Sequence, residues 1–173
     1  GGSGKSMILL DLALSLTTQH PWMNLTKVRG GPYRVLYLDE ENPNKLARLR
    51  LRQFLRAMEV DEEALRTLPL RYFSEKGIKL DNPRYLDLLR REMDSFRPHW
   101  LCLDSLVRFH SKDENSNTAM SSFFTDILKP LIIEFDCGIL ALHHLNKPSI
   151  DASAQAGHRL RGASDIFNMV DGY

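Results

Sequence analysis

Gly1-Gly2-Ser3-Gly4-Lys5-Ser6 runs directly into the apolar segment Met7-Ile-Leu-Leu-Asp-Leu-Ala-Leu-Ser-Leu16. The hexapeptide fills the last six places of the pattern G-x-x-x-x-G-K-[ST]. Glycines carry no Cβ, so successive backbone N–H groups can turn inward around an anion. The apolar segment behind them is predicted to be a helix, with Asp11 and Ser15 on its wet side. Its positive N-terminal end would face the same anion. Lys5 is predicted to reach the β- and γ-phosphates of a nucleotide and Ser6 to hold Mg²⁺, with Gly2, Ser3, Gly4 and Met7 completing the cradle. Such a loop normally hangs from the end of a buried strand. None precedes Gly1, so residues 1–173 read as a single domain truncated at its N-terminus and at its C-terminus.

Short apolar runs follow at regular intervals, separated by helical patterns. Arg34-Val-Leu-Tyr-Leu38, Leu70–Phe73, Trp100-Leu-Cys-Leu103 and Gly138-Ile-Leu-Ala-Leu142 read as buried strands. Helices are expected at about 44–58, 61–67, 83–96 and 119–135. Pro43 suits the first turn of the first of these, with Asn42 as its cap, and Asn82-Pro83 opens the third. Alternating strands and helices call for a mainly parallel sheet covered on both faces, an α/β fold whose first strand is missing here. Ligands of such sheets gather at the carboxyl ends of the strands. The acidic and histidine residues of interest all end strands.

Composition sets few further bounds. Of 173 residues 43% are hydrophobic and 26% charged, which suits a packed core under a polar surface. The net charge of +1 neither favours nor excludes a polyanionic partner, because a local basic patch can hide in a neutral total. Cys102 and Cys137 lie in apolar runs and are expected to be buried reduced thiols, with no metal spacing. No apolar stretch reaches the ~18 residues of a membrane span. A cytoplasmic protein is the default expectation.

Four further groups carry chemistry. Asp104 ends an apolar strand and is placed to hold Mg²⁺ beside Ser6. Glu40 and Glu41 end another, where a carboxylate can orient a water and accept its proton. Side chains alternate along extended chain, so only one of the two can point into the cleft. His143 and His144 end a further strand. For the same reason they are poor joint metal ligands, and one of them contacting the γ-phosphate is the better reading. Arg159 and Arg161 lie in an extended segment from which an arginine could reach a neighbouring subunit's nucleotide.

Taken together, the loop, Tyr37-Leu-Asp-Glu-Glu-Asn-Pro43, Leu103-Asp-Ser-Leu-Val-Arg-Phe-His110, His143-His144 and Leu160-Arg-Gly-Ala-Ser164 resemble the RecA-like P-loop ATPases of the AAA kind. Within them the likeness is to the RepA-type hexameric plasmid-replication helicases. The resemblance implies an ATP- and Mg²⁺-dependent oligomeric motor, a ring with single-stranded DNA as partner. It implies that Glu41 rather than Glu40 is the catalytic glutamate and that Asp104 is the magnesium-site aspartate. His144 or His143 would sense the γ-phosphate, and Arg161 would be the finger supplied across the subunit interface. Only Lys147, His158 and Arg159 flank the segment expected to face DNA, which is low in positive charge for that task. A recombination or circadian-type RecA-like ATPase, a small-molecule kinase and a non-catalytic nucleotide switch are the alternatives.

Overall fold

A computed structural model describes residues 4–112 and 116–143. Four strands, β1 (Val35–Asp39), β2 (Leu70–Ser74), β3 (Trp100–Asp104) and β4 (Gly138–Ala141), form one sheet in the order β2-β1-β3-β4. All three pairings are parallel. The predicted α/β fold is therefore observed, consistent with a RecA-like P-loop architecture.

Alternation along the strands divides the core in two. Leu36, Leu38, Leu101 and Leu103 face one side, where they pack with Leu89, Met93, Met120, Phe123 and Leu131. These partners come from α4 (Pro83–Phe96), α5 (Asn117–Phe123) and α6 (Lys129–Phe135). Val35, Tyr37 and Cys102 face the other side, against α1 (Lys5–Thr18) and α2 (Asn44–Ala57). A sheet apolar on both faces needs both layers, so its strands read as continuous apolar runs. Both cysteines are free and buried, as expected. Among the described residues no helix is long and apolar enough to cross a membrane.

Local signals place most of the ends. Asn82 accepts from Arg84 N–H and Pro83 occupies the first turn of α4. Asp61 caps α3 (Glu62–Thr67) by accepting from Ala64 N–H. At Gly138 a Cβ would lie 2.3 Å from the Trp100 ring, so any larger residue there would have to displace that ring.

Three local expectations are corrected. Ser15 is fully buried rather than on the wet side, because α1 is covered on more of its circumference than its own pattern suggested. Asn42 does not cap α2. Pro43 holds the cap position, and the first free amide, Asn44 N–H, donates instead to Glu75 Oε2 at 2.9 Å. The single helix expected over 119–135 is broken into α5, a π-helical turn over Phe124–Leu128, and α6. Pro130 lacks an N–H and its ring crowds the carbonyl four residues back. The wide turn, with Lys129 N–H bonding Phe124 O, accommodates it.

Candidate functional site

The site is built at the carboxyl ends of β1 and β3. Asp39 and Asp104 are register partners there, and β1 pairing continues through Glu40 N–H to Asp104 O at 2.7 Å. Beside β3, pairing of β4 continues to Leu142, whose N–H donates to Leu103 O and whose O accepts from Leu106 N–H. His143 follows directly and is half-buried.

α1 brings its N-terminus to these strand ends. Gly4 stands at φ 74°, a left-handed conformation that glycine adopts without strain. The first turn of α1 contains no acidic side chain and no side-chain cap from Gly4, so its positive dipole end is one at which an anion would be favoured. Lys5 and Ser6 are its first two residues. Ser6 Oγ donates to Asp104 Oδ1 at 3.1 Å, which ties the phosphate-loop hydroxyl to the strand-end carboxylate. Gly2, Ser3, His144, Arg159 and Arg161 lie outside the described residues.

Asp104 is 1% exposed. Burial pushes its carboxyl up to about 6; the charges of Asp39 and Glu41 push the same way, and the bonds from Ser6 and Tyr37 pull back. A cation bound here would favour the ionised form. A hydroxyl and one carboxylate fit magnesium, which takes one or two carboxylates and completes its shell with water and phosphate oxygens. The described residues hold no group of three or more His, Cys, Asp or Glu able to bind a metal without such help.

The raised value makes stability depend on pH. Asp104 contributes stability that is fully present below about pH 4 and is lost as pH rises through about 6. In chelator-treated protein the loss amounts to about 3 kcal/mol, because each tenfold change in proton affinity corresponds to about 1.4 kcal/mol. Denaturant titrations from pH 4 to pH 7 are expected to show the advantage of wild type over Asp104→Asn shrinking by about that amount. A pH-independent difference would contradict the assignment.

The two glutamates part as alternation requires. Glu40 accepts from Lys76 N–H at 3.0 Å and Gly77 N–H at 2.8 Å, tying down the loop after β2. Glu41 Oε2 instead accepts from Ser105 Oγ at 3.1 Å and Arg108 Nε at 3.2 Å, beside Asp104. Arg108 belongs to the 3-10 turn Leu106–Phe109.

Asp39 joins the site as a further buried carboxylate. It is 2% exposed, and its Oδ1 accepts from Glu41 N–H at 3.1 Å and Asn42 N–H at 2.9 Å. Asn42 Nδ2 donates to both of its oxygens, and Tyr72 OH donates to Oδ2 at 2.5 Å. Tyr37 OH donates to Asp104 Oδ2 at 3.1 Å, and the two tyrosine rings stack at 4.9 Å. Burial pushes both phenols far above their ordinary value, so they remain neutral donors. Asp39 thus fixes the turn that aims Glu41. The available signal was positional, since Asp39 ends its strand as Asp104 does. Asp39→Asn turns one acceptor oxygen into a donor facing these groups. We expect it to cost about 1–3 kcal/mol in denaturant unfolding, against little change for an exposed control such as Asp87→Asn.

Residues 1–149 match the AAA domain family. The chain belongs to that family. In an AAA domain, a glycine-lysine-serine loop opening a helix beside strand-end carboxylates supports nucleotide binding and ATPase chemistry in general.

Proposed function

We propose that this AAA domain is the ATP-hydrolysing motor of a ring-forming, helicase-like replication ATPase. The observation that carries the hydrolytic reading is the position of Glu41. Its carboxylate is bonded to Ser105 and lies beside Asp104, which accepts from Ser6. A carboxylate next to a phosphate loop can orient water for in-line attack on the γ-phosphate and take its proton. Lys5 would neutralise the β- and γ-phosphate oxygens, while the N-terminal amides of α1 hold them in place. Ser6 and Asp104 would hold Mg²⁺, which supplies further charge neutralisation on the phosphates. Asp39 keeps the Glu41 turn rigid, and Tyr37 keeps the Asp104 carboxylate oriented.

The finer part of the proposal rests on the resemblance. His143 or His144 contacts the γ-phosphate, and Arg161 reaches the site of the next subunit. The active unit is then a ring, expected to be a hexamer, that moves on single-stranded DNA in the cytoplasm. Steady-state ATP turnover with and without single-stranded DNA, combined with unwinding of a forked duplex, tests this. Stimulated turnover and strand separation are expected. DNA-independent turnover without unwinding would leave an ATPase and remove the helicase.

A further inference from the structure

We propose that Arg108 is a positioning residue for Glu41, clamped from behind by the connection between β2 and α4. The inference rests on the reading of Glu41 as the water-activating carboxylate. A glutamate has several rotatable bonds, and an attacking water must be held within a fraction of an ångström of its line. Arg108 Nε and Ser105 Oγ both donate to the same oxygen, Glu41 Oε2. No hydrogen bond from a described residue reaches Oε1, which leaves that oxygen for the water.

The backbone explains why Arg108 stays there. Leu106 and Phe109, on either side of it, are buried at 1% and 0% exposure and anchor the turn in the core. Lys79 Nζ donates to the Arg108 carbonyl at 2.6 Å and to the His110 carbonyl at 3.2 Å. Leu80 N–H donates to Phe109 O at 2.7 Å, and Asp81 accepts from Ser111 N–H at 2.7 Å. The same connection grips the other partner. Glu40 accepts from Lys76 and Gly77 N–H, and Glu75 N–H donates to Asp39 O at 2.9 Å. One loop therefore fixes both the turn that carries Glu41 and the turn that carries Arg108.

The pair itself is open to water, with Arg108 57% and Glu41 31% exposed at the side chain. An ion pair so exposed adds little stability. Its removal should therefore appear in turnover rather than in melting, and this separates a positioning role from a merely structural one.

The test compares wild type, Arg108→Ala, Arg108→Lys, Lys79→Met, Glu41→Gln and the double variant Glu41→Gln with Arg108→Ala. Each is assayed for kcat and KM and for affinity toward a fluorescent ATP analogue. Arg108→Ala is expected to lower kcat about 10- to 100-fold, with KM and analogue affinity within about twofold of wild type. Arg108→Lys, which keeps the charge, should recover part of the loss. Lys79→Met should lower kcat in the same direction although Lys79 itself has no bond to Glu41. In the Glu41→Gln background Arg108→Ala should add no further loss. Unchanged or raised turnover in Arg108→Ala would overturn the proposal, and so would an equal loss in the Glu41→Gln background. Should Glu41→Gln itself hydrolyse ATP like wild type, the functional reading fails first; a silent Arg108→Ala beside an inactive Glu41→Gln removes the positioning role alone.

Discussion

Glu41→Gln is expected to lower ATP turnover by about 10²- to 10⁴-fold, the range that a positioned general base contributes. The substitution keeps the shape of the side chain, and its amide oxygen can still accept from Ser105 and Arg108. What disappears is the ability to take a proton from water. Nucleotide affinity should therefore remain close to that of wild type, because the proposed role of Glu41 is toward the water and not in the phosphate cradle. Glu40→Gln makes the internal contrast. Its oxygens are occupied by Lys76 and Gly77 amides, so its loss should loosen the loop behind the Glu41 and Arg108 turns and lower turnover only modestly, far less than Glu41→Gln. Rapid-quench measurements of bound ATP against released phosphate separate the two outcomes.

Lys5→Ala is expected to act at the opposite step. Lys5 follows the left-handed Gly4 at the first position of α1, where on the proposed reading its ammonium and the helix dipole would serve the same phosphate. A charge-assisted hydrogen bond of about 1.5–3 kcal/mol corresponds to a roughly 10- to 150-fold loss in nucleotide affinity. Withdrawal of positive charge from the transition state should lower turnover by about a further 10²-fold or more. Titration calorimetry with a non-hydrolysable ATP analogue measures the first effect, and phosphate release at saturating ATP measures the second. Wild-type affinity in Lys5→Ala would separate the loop from nucleotide binding altogether.

The fold was legible because its signals were local or periodic. Strand segments such as Trp100–Leu103 carried uninterrupted apolar residues, and Asn82-Pro83 and Asp61 announced helix starts by side-chain chemistry that works within three residues. The placement of acidic groups was legible from the ends of apolar runs: Asp104 ends β3 against Ser6, and Glu41 follows β1 against Ser105. What escaped depends on contacts between distant segments. Asp39 looked like one more acid in an acidic run. Its role appears only when β2 brings Tyr72 alongside, 33 positions later. Tyr37 looked like a core aromatic, and its hydroxyl gains meaning only from Asp104 on the neighbouring strand. The grip of Lys79 on the Arg108 turn spans two connections of the sheet, which no spacing in the sequence reports. The π-helical turn ahead of Pro130 was missed for a different reason. The apolar pattern over 119–135 runs on without interruption, and only the backbone shows the helix widening to admit the proline.

On the proposed function, the γ-phosphoryl group of ATP is transferred to water where α1 meets the ends of β1 and β3. The most direct measurement is phosphate release by the purified protein with ATP and Mg²⁺ and no other acceptor, alongside Glu41→Gln. Steady multiple-turnover release is expected in wild type, and near-absence of release in Glu41→Gln with ATP still bound. Tight ATP binding by wild type without phosphate release, or release only when a small-molecule acceptor is added, would contradict it.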